Sequence, residues 1–112
     1  MSTPSLRQWL SEGPFTLALS SGFFGFYAHA GVLRALEDAG ITPSRVTGSS
    51  AGALAGGMWA AGMPAADLIA ELRSLSRRDF WDPGFGPGFL RGRLFREHVR
   101  ALLPVHDFAH CA

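Results

Sequence analysis

Apolar residues recur along this chain in two rhythms. Phe15-Thr16-Leu17-Ala18-Leu19 is a short apolar run bounded by Gly13-Pro14 and Ser20-Ser21-Gly22, and it reads as a buried strand. From about Tyr27 to Ala39 the spacing changes. Ala28, Val32, Ala35, Leu36 and Ala39 follow a helical period, with Arg34, Glu37 and Asp38 on the other side. Gly40 is placed to end that helix. Pro43 leads into a second strand, Arg45-Val46-Thr47, followed by the sharp turn Gly48-Ser49-Ser50-Ala51-Gly52. A helix is predicted from Ala51 to Ala61, closed by Gly62. Pro64 suits the first turn of the next, which runs through Leu68, Leu72 and Leu75. Residues 79–92, rich in Gly, Pro and aromatics, read as a loop. A last helix is predicted from Leu94 to Leu103, before Pro104. Ahead of all this, residues 1–14 form a leader with a short helix at Leu6 to Leu10, and the domain proper starts at residue 15.

The order is strand, loop, helix, strand, turn, helix. Two strands joined through a helix form a parallel pair, with a right-handed crossover as the rule. Both loops then lie at the carboxyl edge of the sheet, where open α/β folds bind ligands.

Composition narrows the field. With 47% apolar and 17% charged residues, the chain is globular rather than disordered. Its 112 residues make one domain or part of one. The formal net charge is +1 and the basic residues form no single run, so no nucleic-acid partner is expected. Arg77-Arg78 and the set Arg91, Arg93, Arg96 and Arg100 are the local enrichments. A solvated helix face explains the second set, and contact with anionic lipid head groups is the sharper reading. Cys111 stands alone, which excludes an internal disulfide and an all-cysteine metal site. The opening residues carry no basic-then-apolar signal segment. The longest uncharged small or apolar stretch, Ala51 to Met63, falls short of the about 20 residues that span a bilayer. A cytoplasmic protein is therefore expected, with peripheral membrane contact left open.

The chemistry concentrates in Gly48-Ser49-Ser50-Ala51-Gly52, which fits G-x-S-x-G. A serine on a strained strand-to-helix turn projects its hydroxyl, small neighbours avoid clashes, and the following helix directs its positive end at developing negative charge. A plain Gly/Ser turn is the alternative for the pentapeptide alone. The strand before it, the Ala/Gly helix after it and a second glycine loop on the adjacent strand favour the nucleophile. That second loop, Gly22, Phe23, Phe24 and Gly25, is the oxyanion-hole candidate, because acyl transfer needs backbone N–H groups aimed at the carbonyl oxygen. An ordinary turn or a phosphate loop is the alternative, but neither G-K-[ST] nor an intact G-x-G-x-x-G is present.

At these residues the chain resembles the patatin-like phospholipases. Leu17 to Ser20, the glycine loop and Ala28-His29-Ala30-Gly31-Val32-Leu33-Arg34-Ala35-Leu36-Glu37-Asp38-Ala39-Gly40-Ile41 resemble the family's opening segment, and Thr47 to Ala53 resembles its nucleophile elbow. The resemblance is strongest over residues 15–62 and continues more weakly to Leu103. It implies an α/β fold, a parallel-sheet three-layer sandwich that is incomplete in this chain. It also implies hydrolysis of lipid or phospholipid acyl esters by a Ser-Asp dyad, without metal or other cofactor, with Ser50 as nucleophile. Two departures stand out. The family's loop is usually three glycines, any residue, a basic residue and a glycine, whereas Ser21-Gly22-Phe23-Phe24-Gly25-Phe26 has no basic residue. Which N–H groups form the hole stays open. The family's aspartate lies in a downstream D-G-[GA] motif, which none of Asp38, Asp67, Asp79, Asp82 and Asp107 matches. The chain therefore reads as a partial sequence, with little turnover expected of 112 residues alone.

Other residues have plainer roles. His29 invites a base role, but helix packing or a hydrogen bond near the loop is favoured. His98, His106 and His110 have no carboxylate pattern to support a metal. Gly48, Gly52 and Gly56 form a small-residue stripe for close helix–sheet packing. Trp59, Phe80, Trp81, Phe85 and Phe89 read as core or loop anchors, with a lipid-facing flap over 83–90 as the alternative. A catalytically silent lipid-binding module and an acyltransferase remain as competing functions. Oligomeric state is left open.

Overall fold

A computed structural model describes residues 2–22, 25–74 and 93–111, apart from the side chains of Arg93 and Phe95. The loop expected at 79–92, with Asp79, Asp82, Arg91 and the aromatics Phe80, Trp81, Phe85 and Phe89, lies outside the described residues, as do Leu75, Arg77, Arg78, Phe23 and Phe24.

The leader helix α1 (Leu6–Ser11) begins with a capping box. The Ser5 hydroxyl accepts from the Gln8 N–H at 3.2 Å and the Gln8 side chain accepts from the Ser5 N–H at 2.8 Å. Leu6 and Trp9 remain exposed, and no residue of α1 is buried. Strand β1 (Thr16–Leu19) then pairs in parallel with β2 (Arg45–Gly48), in the register Leu17 to Val46 and Leu19 to Gly48. Helix α2 (Gly25–Ala39) connects them, and α3 (Ala51–Ala60) follows β2 after a two-residue turn. The parallel βαβ order read from the sequence is thus present, and the fold is α/β.

Side chains alternate across a strand, so Leu17, Leu19 and Val46 share one face. That face packs into the core. The opposite face, carrying Thr16, Ala18, Arg45 and Thr47, is exposed. The apolar run 15–19 is therefore a half-buried strand, not the fully buried one expected.

Helix α2 buries Phe26, Ala30, Leu33 and Leu36. This corrects the expected stripe, of which Ala28, Val32 and Ala35 are exposed. The physical reason is area: turning Phe26 and Leu33 inward removes far more apolar surface from water than turning three small side chains inward. Gly40 adopts φ +68°, and the Ile41 N–H reaches the Leu36 carbonyl at 2.9 Å, the reversed turn that glycine permits at a helix end. Helix α4 (Ala65–Ser74) follows Pro64 and buries Ala65 and Leu68. Among the described residues, Leu33 of α2 and Leu68 of α4 are the largest fully buried side chains. Helix α5 (Arg93–Leu102) brings Val99 and Leu102 against this core, and a short 3-10 turn (Phe108–His110) follows. No helix among the described residues is long and apolar enough to cross a membrane.

The glycine stripe has a steric cause. A Cβ on Gly52 would lie 2.2 Å from the Leu19 carbonyl oxygen, and one on Gly56 would lie 2.9 Å from Val46 Cγ1. Bare backbone at these positions lets α3 rest directly on both strands, placing its first turn at the carboxyl end of the sheet.

Candidate active site

Ser50 stands between β2 and α3, at φ 53° and ψ −118°. Among the described residues it is the one non-glycine with positive φ. An L-residue in this region carries about 1–3 kcal/mol of strain, held only where the surroundings over-determine it. Here they do. The Ser49 N–H donates to the Leu19 carbonyl at 3.1 Å, Gly52 N–H to the Ser49 carbonyl at 2.9 Å, and Leu54 N–H to the Ser50 carbonyl at 3.0 Å. A Cβ on Gly48 would lie 2.5 Å from the Gly52 carbonyl carbon, so the two ends of the turn touch.

Ser50 occupies the N-cap of α3, where a serine ordinarily bonds the N–H groups of the first turn. Its side chain makes no such bond, and the residue is exposed. The hydroxyl is therefore presented outward. The Ala51 N–H, first of the helix, has no backbone acceptor among the described residues. It points from the positive end of α3. Sequence reasoning placed Ala51 in the turn and did not weigh its free N–H. The signal was its position directly after Ser50.

The glycine loop leaves β1 at Ser20. Gly22 has φ +135°, a value that requires glycine. The Gly25 N–H, also a candidate donor, is engaged with the Gly22 carbonyl at 2.9 Å. Phe23 and Phe24 lie outside the described residues. His29, in the second turn of α2, donates from Nε2 to the Ser20 carbonyl at 2.7 Å.

The described aspartates are elsewhere. Asp38 and Asp67 lie exposed on α2 and α4. The Asp107 carboxylate accepts from the His110 N–H at 3.0 Å, capping the 3-10 turn, and also pairs with His110 Nδ1. His98 Nε2 lies 3.4 Å from Glu71 Oε2 without hydrogen-bond geometry, and His106 Nε2 donates to the Arg100 carbonyl at 2.9 Å.

A groove of about 420 Å³ opens beside the elbow helix, lined by Leu54, Val99 and Leu103, with Arg96, Arg100 and His106. Leu54 is four residues after Ser50, so the two lie on the same side of α3.

A strained, exposed serine thus stands at the junction of a parallel strand and a helix, which is the geometry a nucleophile elbow requires. The patatin-like phospholipase family model matches residues 17–112, and the chain belongs to that family. It is similar to the neuropathy target esterase sws of Drosophila sechellia and of Drosophila melanogaster, 33% identical to each over 73 residues. The match takes in 65% of this chain and 5% of each relative, so the chain spans a small part of the length of the curated relatives it matches. No solved structure matches.

Proposed function

We propose that this chain carries the nucleophile of a lipid acyl hydrolase that works through a Ser-Asp dyad. The observation that carries the reading is Ser50, held at positive φ with its hydroxyl released from helix capping. Membership of the patatin-like phospholipase family and similarity to proteins named as esterases support the lipid ester as substrate class.

In this reading Ser50 Oγ attacks the ester carbonyl while the aspartate takes its proton. The negative charge that forms on the carbonyl oxygen faces the Ala51 N–H at the positive end of α3, with the glycine loop after β1 as the second side of the hole. The C–O bond breaks, the alcohol leaves with the proton, and the acyl group stays on Ser50. Water, deprotonated by the same aspartate, then releases the fatty acid. The aspartate belongs to a D-G-[GA] motif that these 112 residues do not contain. The groove beside Leu54 takes the acyl chain, and at about 420 Å³ it falls in the about 300–1,000 Å³ range of small-molecule sites. Parallel sheets are ordinarily covered on both faces. The exposed face of β1 and β2 thus supports a three-layer sandwich with its second helical layer supplied elsewhere.

The absence of any described aspartate bonded to Ser50 favours a second reading, a lipid-binding module that keeps the elbow without its base. Intact-mass spectrometry after a fluorophosphonate probe separates the two. The hydrolase reading expects one adduct, lost in Ser50→Ala. A folded protein that takes no adduct at Ser50 favours the binding module.

A further inference from the structure

Two consecutive carbonyls at the end of β1 hold the two halves of the site. The Leu19 carbonyl accepts from the Ser49 N–H at 3.1 Å and so fixes the elbow. The Ser20 carbonyl accepts from His29 Nε2 at 2.7 Å. Ser20 precedes the glycine loop and His29 follows it, so this second bond joins the two sides of the loop. The same Leu19-Ser20 ledge abuts α3: a Cβ on Gly52 would lie 2.2 Å from the Leu19 oxygen and 2.6 Å from the Ser20 oxygen. A shift of Ser20 is therefore felt both by the glycine turn and by the helix that begins at Ser50.

We propose that His29 is a positioning residue that ties the start of α2 to the Ser20 carbonyl and so fixes the two described ends of the glycine loop on the strand that also holds the Ser49–Ser50 turn. The inference rests on the acyl-hydrolase reading for what the turn does, but the latch itself does not. Glycines make the turn adaptable and costly to order. A single polar clamp across it removes that freedom before substrate arrives, which is how pre-organised donors act on a developing oxyanion. Because a carbonyl only accepts, His29 carries its proton on Nε2. That nitrogen is committed to Ser20, and Ser50 Oγ has no bond to His29. A histidine retained for packing alone would be replaced by a leucine of similar bulk. A latch is replaced by a side chain that donates at similar reach, which glutamine does.

The test compares the intact protein with His29→Gln and His29→Leu. Three readouts are taken: the fluorophosphonate labelling rate at Ser50, kcat and KM on a short-chain ester, and amide exchange at Gly25, whose N–H closes the turn. Misplacement of about 1 Å costs up to about 100-fold in rate, so labelling and kcat should fall about 10- to 100-fold in His29→Leu, with KM changed by less than about 3-fold. His29→Gln should recover most of both. Gly25 exchange should quicken in His29→Leu and slow again in His29→Gln. Equal behaviour of the two variants in labelling and exchange overturns the latch. A wild-type protein that takes no label sinks the acyl-hydrolase reading instead, and the exchange arm still decides the latch. Nitrogen-15 NMR of the wild type adds a check that needs no variant: a His29 ring protonated on Nδ1 alone overturns it.

Discussion

The Leu19 carbonyl oxygen lies 2.2 Å from where a Cβ on Gly52 would stand. Three glycines of α3 therefore make a graded series. Gly52→Ala forces backbone against backbone and should cost about 3 kcal/mol or more, because the strand and the helix must separate. Gly56→Ala meets only the side-chain ends of Val46 and Leu19, at 2.9 Å and 3.0 Å, and should cost about 1 kcal/mol after the helix gains from alanine. Gly57→Ala meets nothing within 4 Å and should stabilise by about 0.5–1 kcal/mol. Urea unfolding of the three variants checks the order. A Gly52→Ala protein as stable as Gly57→Ala would mean that α3 does not rest on β1 as described.

The strain at Ser50 predicts a stability gain from replacing it with glycine. Ser50→Ala keeps a Cβ at φ 53° and keeps the strain, whereas Ser50→Gly relieves it. Both should lose labelling by a fluorophosphonate. The glycine variant should unfold at higher denaturant than the alanine variant, by about 1 kcal/mol after the entropy cost of glycine. Equal midpoints would show that the elbow relaxes in solution.

Much of this arrangement was legible in the sequence because it rests on local rules. Gly40 and Gly62 end helices at φ +68° and +108°, and glycine is the residue that takes such values cheaply. The elbow pentapeptide encodes its own geometry, since small residues at Gly48 and Gly52 are what the close approach requires. The inward face of α2 was not legible. Its sequence offers apolar residues on more than one side, and only the positions of β1, α3 and α4 decide that Phe26 and Leu33 turn inward while Val32 does not. The same holds for Ala18, which is apolar yet exposed because burial of a strand depends on what covers each face. His29 lay between these cases: its closeness to the loop could be read, but its partner, nine residues earlier, is set by the turn of the chain.

Glu37 ties three helices together. Its Oε1 accepts from the Trp59 indole at 2.8 Å and from the Ala65 N–H at 2.9 Å, the first amide of α4. A carboxylate at a helix N-terminus also meets the positive end of the helix. Removing it takes the acceptor from the exposed Trp59 indole N–H and from the partly buried Ala65 N–H, so Glu37→Ala should cost about 1 kcal/mol. Glu37→Gln keeps an acceptor oxygen and should cost about half as much. Trp59 emission should move to the red in Glu37→Ala as the indole gains water. An unchanged spectrum with unchanged stability would show that the two bonds are not held in solution.

The groove beside Leu54 makes a prediction about chain length. Leu54 follows Ser50 by one helical turn and shares its side of α3, while Val99 and Leu103 form the facing wall and Arg96 and Arg100 supply positive charge. An acyl chain bound at Ser50 would pass Leu54 first. Enlarging that side chain narrows the groove one helical turn from Ser50 without touching the hydrogen bonds of the 48–52 turn, which are all backbone. In an active form of the protein, Leu54→Trp should leave kcat/KM for an acetyl or butyryl ester within about 3-fold. It should lower the value for a dodecanoyl or longer ester by about 10-fold or more, on the scale of about 1–3 kcal/mol for blocked apolar contacts. Arg96→Ala with Arg100→Ala should act differently, weakening binding to anionic vesicles, which salt then matters to less. If Leu54→Trp lowers short and long esters equally, the acyl chain leaves Ser50 by another route, and the groove between α3 and α5 is not the acyl site.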